Sequence, residues 1–330
     1  MKKVLIIIAS ILLLGAASCQ KEAPANDEMQ EVTFTVSLPS EIETKSISDG
    51  EKATVLYYAT YTKAGKYLPS LSNDTTEGLA PTSTKTFKVT LKLVKGIEYD
   101  VVFWAQSPDC KAFTFNWNST TPTVTVSYSG NANDDARDAF YRMKSIKVPF
   151  ANEEDKTIKL YRPFAQINFG SSDYQSVVDY YSETEVDKGM TSGLTIGAEV
   201  PSVMNLLTGN TSSPVSAEFA LNAIPSGEDK TLTINNTGYR YVSMNYVLAR
   251  SGNTDTPDTF NSITGKFVLT INNDKKLERD VTVTSVPYLR NHRTNIVGNF
   301  FTENAELTVV IDQNFNKPDL QPKDGSITIK

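Results

Sequence analysis

From about residue 30 onward the chain alternates apolar and polar residues. Val32, Phe34, Val36 and Leu38 point one way with Thr33, Thr35 and Ser37 between them, the period-two pattern of a half-buried strand. Thr54–Thr62, TVLYYATYT, is dense in the β-branched and aromatic residues that strands favour. Phe87–Leu93 and Tyr99–Ala105 flank Lys95-Gly96 and read as a hairpin. Further strands are predicted at Thr123–Tyr128, Thr157–Phe169, Glu218–Ile224, Thr231–Asn235 and Tyr239–Ala249. Lys266–Ile271 and Arg279–Val286 bracket Asn272-Asn273-Asp274 as a second hairpin, and Ala305–Ile311 is the last strong strand. Gly, Asn, Asp and Pro collect between these segments, a spacing that predicts stacked antiparallel sheets.

Helical signals are few. Asn133–Met143 opens on Asn and Asp and is expected to make two or three turns, and Asp173–Ser182 (DYQSVVDYYS) another short helix. Neither is long enough to organise a fold, so the class is all-β. The stretch after the leader is too long for one comfortable core, which makes two β-sandwich domains the expectation. Strand composition breaks at Gly170-Ser171-Ser172, so the domains are drawn as 31–170 and 171–330. No fixed-period repeat of a solenoid or propeller appears.

The first thirty residues are different. Lys2 and Lys3 precede Val4–Leu14, apolar apart from Ser10. At 1.5 Å per residue that run falls short of a ~30 Å hydrocarbon core. Gly15-Ala16-Ala17-Ser18 and then Cys19 follow. The layout is that of a secretory signal, residues 1–18, with a cleavage site. A cysteine directly after small residues resembles a bacterial lipobox, in which Cys19 is acylated and becomes the first residue. Ala16 stands where leucine is commonest, and an ordinary signal with an incidental cysteine is the alternative. Each buried methylene contributes ~0.8 kcal/mol, so several acyl chains anchor stably where one does not. Residues 19–30, polar and charged, then read as a tether.

Removing the leader takes two lysines and no acid, so the formal net charge goes from −6 to −8. An exported chain of that sign has no electrostatic reason to seek nucleic acid. With Cys19 acylated, Cys110 has no disulfide partner and is expected to be a buried thiol. His292 is the one histidine, so it is the only possible general base of a nucleophile–His pair, and a His-rich zinc site is excluded by count. Its setting, PYLRNHRT, reads as a hydrogen-bonded turn. Carboxylates are plentiful, but Asp134-Asp135 and Glu153-Glu154-Asp155 lie in polar stretches and read as solvated loops. EF-hand spacing and Gly-rich phosphate loops are absent. No cofactor, metal site or enzymatic activity is therefore expected. Most aromatics fall in strand periodicity and are core first. Trp104 and Trp117 are the candidates for stacking on a glycan.

Three stretches, taken with the leader, resemble one family. Pro287–Phe301, PYLRNHRTNIVGNFF, is similar to the RNH-x-T-x-I-x-G-N block near the end of fimbrillin-like proteins of Bacteroidota. Leu160–Gly170, LYRPFAQINFG, resembles their internal Arg-Pro-x-Ala-x-Ile-x-Phe strand, and Glu43–Gly50, ETKSISDG, the segment after their first strand. The resemblance to this Mfa-like fimbrillin family spans nearly the whole mature chain in the family's order. It implies two transthyretin-like β-sandwiches and an outer-membrane, surface-exposed lipoprotein acting as a pilus subunit or adhesin. It also implies strand exchange: a protease removes the lipid and first strand (here Val32, Phe34, Val36 and Leu38), and a donor strand from another subunit fills the groove. Lys45 occupies the cleavage position where the family has arginine, so an Arg-specific protease would not cut there. At the other end Ile327 and Ile329 alternate with polar residues, either as a donor tail or as a frayed end. A non-polymerising lipoprotein that binds a surface glycan or protein is the alternative function.

Overall fold

The computed structural model describes residues 28–39, 50–74, 78–83, 85–150, 156–227, 230–250, 257–302, 307–312 and 327–328. In chain order the strands are β1 (Met29–Ser37), β2 (Val55–Thr62), β3 (Thr86–Val94), β4 (Glu98–Gln106), β5 (Phe113–Asn116), β6 (Thr123–Val126), β7 (Gly130–Asn131), β8 (Ala139–Lys147) and β9 (Thr157–Lys159). They continue with β10 (Phe164–Ser171), β11 (Met190–Asn205), β12 (Thr211–Ala223), β13 (Thr231–Ile234) and β14 (Thr237–Leu248). The last are β15 (Asp258–Ile271), β16 (Asp274–Tyr288), β17 (Arg293–Gly298), β18 (Leu307–Asp312) and β19 (Ile327–Thr328). Helices α1 (Tyr174–Tyr181) and α2 (Glu183–Gly189) stand between β10 and β11. The fold is all-β.

Two three-stranded sheets, ordered β3-β1-β9 and β2-β4-β8, enclose the first core. Alternation decides what fills it. Val32, Phe34, Val36 and Leu38 enter from one sheet beside Phe87, Val89, Leu91 and Leu93, and meet Leu56, Val101, Phe103 and Phe140 from the other. The opposite face of β2-β4-β8 is also covered. Ala59, Tyr61, Val102, Trp104 and Tyr141 belong to the larger apolar cluster that runs into the second half of the chain. That second half has a six-stranded sheet, β13-β14-β10-β17-β18-β19, and a larger one, β16-β15-β11-β12-β7. Hairpin β5-β6 adds to the larger sheet through β6 against β11, and β7 pairs with β12. The polar break at Gly170-Ser171-Ser172 closes β10, which pairs with β14 and β17, and leads into α1.

Of the two expected hairpins, β15-β16 forms, through Asn272 and Asn273 at φ 52° and 63°. The one expected at Lys95-Gly96 does not: the chain reverses there, with Gly96 at φ 79°, but β3 pairs with β1 and β4 pairs with β2 and β8, so the turn crosses from one sheet of the first core to the other. The short helix expected at 173–182 is α1. The helix expected over Asn133–Met143 is not there. Asn133 adopts φ 57° and ties the two later sheets together instead. Its side-chain amide donates to Ser192 Oγ and Ala223 O, each at 2.9 Å, and its Oδ1 accepts from Met244 N at 2.8 Å. Asp134 caps a single 3-10 turn, Asp135–Arg137, and residues 139–147 then pair with β4 along their whole length. Ladder pairing and burial of Phe140 and Ile146 outweigh the local helix-start signal, since Asn and Asp favour turns as much as caps.

Candidate functional site

Strand β1 lies in the middle of its sheet. It pairs antiparallel with β3 from Met29↔Val94 to Ser37↔Thr86, and parallel with β9 through Thr35, Val36 and Ser37. Its inward side chains, Val32, Phe34, Val36 and Leu38, are 2%, 0%, 0% and 4% exposed. The Phe34 ring packs against Phe103 at 6.4 Å and edge-on to Phe150 at 5.8 Å between centroids. The outward side is polar, with the Thr33 and Thr90 hydroxyls 2.9 Å apart. Backbone bonds continue beyond both ends, Lys95 N to Glu28 O at 2.7 Å and Leu38 N to Lys85 O at 2.9 Å. Among the described residues no ion pair or disulfide ties β1 in place. Ladder bonds and four apolar side chains hold it, and any extended segment with the same alternation supplies both.

The stretches that carried the family resemblance meet in space. β10, from the LYRPFAQINFG block, runs parallel to β17, from the RNH block, in register Gln166↔Arg293 to Ser171↔Gly298. The RNH turn closes the entry to β10: Asn291 N donates to Phe164 O, Asn291 Oδ1 accepts from Arg162 N, and His292 O accepts from Gln166 N. Arg162 in turn makes a bidentate pair with Asp138 (Nε–Oδ1 2.7 Å, Nη2–Oδ2 2.8 Å), with both side chains 1% exposed and the guanidinium over the Phe140 ring. Past β17, Asp173 receives the chain. Its carboxylate accepts from Ser171 Oγ, from the backbone N–H groups of Phe300, Phe301 and Thr302, and from Thr302 Oγ1, at 2.8–2.9 Å. Burial pushes this carboxyl up, but these donors overcome it and hold it below its ordinary range. Of the third stretch, Gly50 is described. It sits at φ 78°, where an added Cβ would lie 2.8 Å from the Phe140 ring, so both backbone and space require glycine.

Cys19, Lys45 and Ile329 lie outside the described residues. Ile327 is in β19, which pairs with β18 in its own chain through Val309↔Ile327 and Thr308↔Thr328. The glycan-stacking expectation for Trp104 and Trp117 is corrected. They are 0% and 8% exposed, because the face of β4 that carries Trp104 is covered by β5 and β10. Trp104 packs edge-on to Phe113, Phe115 and Phe164, its Nε1–H donates to Gln106 Oε1, and Trp117 stacks on Phe115 at 4.6 Å, so neither ring offers a face to a sugar. Cys110 is a free, buried thiol whose pKa burial raises. His292 Nδ1 lies 2.7 Å from Arg290 O in the turn before β17. Among the described residues no group of His, Cys, Asp and Glu could hold a metal ion, and no helix is long and apolar enough to cross a membrane. The Arg162–Asp138 pair and the Asp173 cradle were not read from sequence. Arg162 stands in a quoted block, but nothing local marks its partner.

A family profile described as a family of unknown function, DUF6562, matches residues 24–330. No curated protein matches the chain in sequence. Among solved structures, the tip fimbrial protein Mfa3 from Porphyromonas gingivalis with C-terminal truncation is 14% identical, with 86% of this chain and 99% of that one covered at TM-score 0.44. The fimbrial anchor protein Mfa2 from the same organism is 10% identical, with 86% and 97% covered at TM-score 0.37. A fimbrial protein from Bacteroides vulgatus is 11% identical, with 85% and 98% covered at TM-score 0.42.

Proposed function

Because the chain belongs to DUF6562, a family of unknown function, its role has to be read from its own residues, and we propose a cell-surface, fimbrial or adhesin-like structural subunit. On this reading Cys19 carries the lipid that anchors it to the outer membrane, the chain performs no catalysis, and its partners are other subunits. The observation that carries the proposal is β1: a strand near the start of the mature chain, central in its sheet, held by ladder bonds and four alternating apolar side chains. Such a strand can be exchanged for an equivalent one, which is β-augmentation. On this reading a cut after Lys45, the position that the ETKSISDG resemblance implies although the family has arginine there, would discard lipid and strand together.

Treating intact cells with a Lys-directed protease and sequencing the N-terminus tests this. A new start at Ser46 accompanied by high-mass oligomers supports exchange. A chain that keeps its lipid and stays monomeric sinks it. Palmitate labelling lost in Cys19→Ser checks the anchor separately. The second reading, a subunit that does not polymerise, is favoured by β19, which caps the β18 edge of its own chain.

A further inference from the structure

Strands β8 and β9 each stand at the edge of a different sheet of the first sandwich, and their free edges face one another. One backbone bridge links Tyr141 of β8 to Tyr161, two residues past β9: Tyr141 N donates to Tyr161 O at 2.9 Å and Tyr161 N to Tyr141 O at 3.2 Å. Beyond it they diverge. Leu160 N donates to Ser37 O on the β1 side. By strand alternation, Lys159 and Thr157 therefore direct their backbone groups toward β8, and Met143 and Ser145 direct theirs back toward β9. Among the described residues no ladder joins these groups. Between them lies a cleft of about 560 Å³ lined by Arg142, Lys144, Thr157, Ile158 and Lys159. Of these described lining residues Arg142, Lys144 and Lys159 are cations, and Lys144 is already engaged within the chain. Arg142 is exposed and lies 5.2 Å from the Tyr161 ring centroid.

We propose that this cleft binds an acidic peptide segment in extended conformation, as an added strand that continues the Tyr141–Tyr161 bridge. Two features select that ligand. Each wall presents backbone N–H and C=O groups at every second residue, the repeat of a strand ladder, which a saccharide does not match. Arg142 and Lys159 are cationic, so carboxylates at alternate positions complement them. The site is separate from the position of β1, so it does not depend on strand exchange. The segment joining the two strands, 151–155, lies outside the described residues and reads Ala-Asn-Glu-Glu-Asp. Its three carboxylates are internal competitors that the test has to separate.

The test measures fluorescence anisotropy of labelled Glu-Val-Glu-Val-Glu-Val with the full mature chain. Saturable, salt-sensitive binding is expected. Arg142→Glu, and separately Lys159→Glu, should each weaken it by roughly tenfold or more, the scale of one lost charge-assisted hydrogen bond. Lys275→Glu, far along the β15-β16 hairpin, should leave it unchanged and controls for net charge. N-methylation of alternate peptide amides should abolish binding, because it removes the ladder donors. Three results overturn the proposal: equal binding of the N-methylated peptide or of its lysine counterpart, binding of dextran sulfate but not of the peptide, or peptide binding seen only after Glu153→Gln, Glu154→Gln and Asp155→Asn. The last would mean that the chain's own carboxylates hold the cleft.

Discussion

Truncating Phe34 to alanine should loosen the first sandwich far more than truncating Thr33, the residue beside it. Phe34 is wholly buried, with its ring against Phe103 and Phe150. Core Phe→Ala replacements cost about 3–5 kcal/mol, and two ring partners at contact distance put this site in the upper part of that range. Thr33 faces the other way and loses one hydroxyl contact, to Thr90, a cross-strand pair on the order of 0.2–1 kcal/mol. Urea unfolding by circular dichroism gives the two costs, provided the slope with denaturant is unchanged. Hydrogen exchange across residues 86–94 then places the loss in the β1–β3 ladder. The same weakening should speed uptake of an added peptide of sequence 29–38, which links the stability measurement to strand exchange. Equal costs for the two variants, or less than about 1 kcal/mol for Phe34→Ala, would refute the view that β1 is held by its inward side chains.

Two further outcomes are expected. Asp173 is held below the ordinary carboxylate range in the folded chain. Its contribution to stability is therefore present above the unfolded-state pKa of ~3.9 and is lost as pH falls through the lower folded value. Asp173→Asn should cost about 3 kcal/mol at neutral pH and flatten the acid limb of a pH–melting curve below pH ~4, and an unchanged limb would remove Asp173 from the account. Arg162→Met leaves Asp138 buried without its cation and should cost about 3–5 kcal/mol, whereas Arg162→Met with Asp138→Leu should recover much of that loss in a thermal-melt cycle. Additive costs would show that the pair does not act as a unit.

Much of the architecture was legible in the residues themselves. Period-two alternation sets which face of a strand is apolar, and turn residues such as Lys95-Gly96 and Asn272-Asn273 set where the chain reverses. Both follow from local sterics and burial, so β1, the β15-β16 hairpin and the all-β class could be read directly. Alternation does not name a strand's neighbours. Nothing local says that Phe164–Ser171 lies parallel to Arg293–Gly298, that Asp138 waits for Arg162, or that Asp173 receives three backbone N–H groups well over a hundred residues later. These pairings depend on sheet order, which the chain reaches only when distant segments close on each other.

The same limit explains the corrected expectations. Lys95-Gly96 marks a reversal, but whether the strands it joins pair or part into two facing sheets depends on the neighbours each acquires. Asn133–Met143 carries a helix-start signal, but its second half was claimed by pairing with β4. Trp104 and Trp117 sit in strand and loop where a sugar platform could be imagined. Their environment was decided by what packed on the second face of β2-β4-β8, and that turned out to be β5, β10 and the rest of the larger core. The sequence by itself therefore determined the elements, their inward faces and the alternation of β1. Tertiary structure decided which edges were left open, which aromatics were sealed and which charges were paired, because each of those depends on the neighbour a strand acquires.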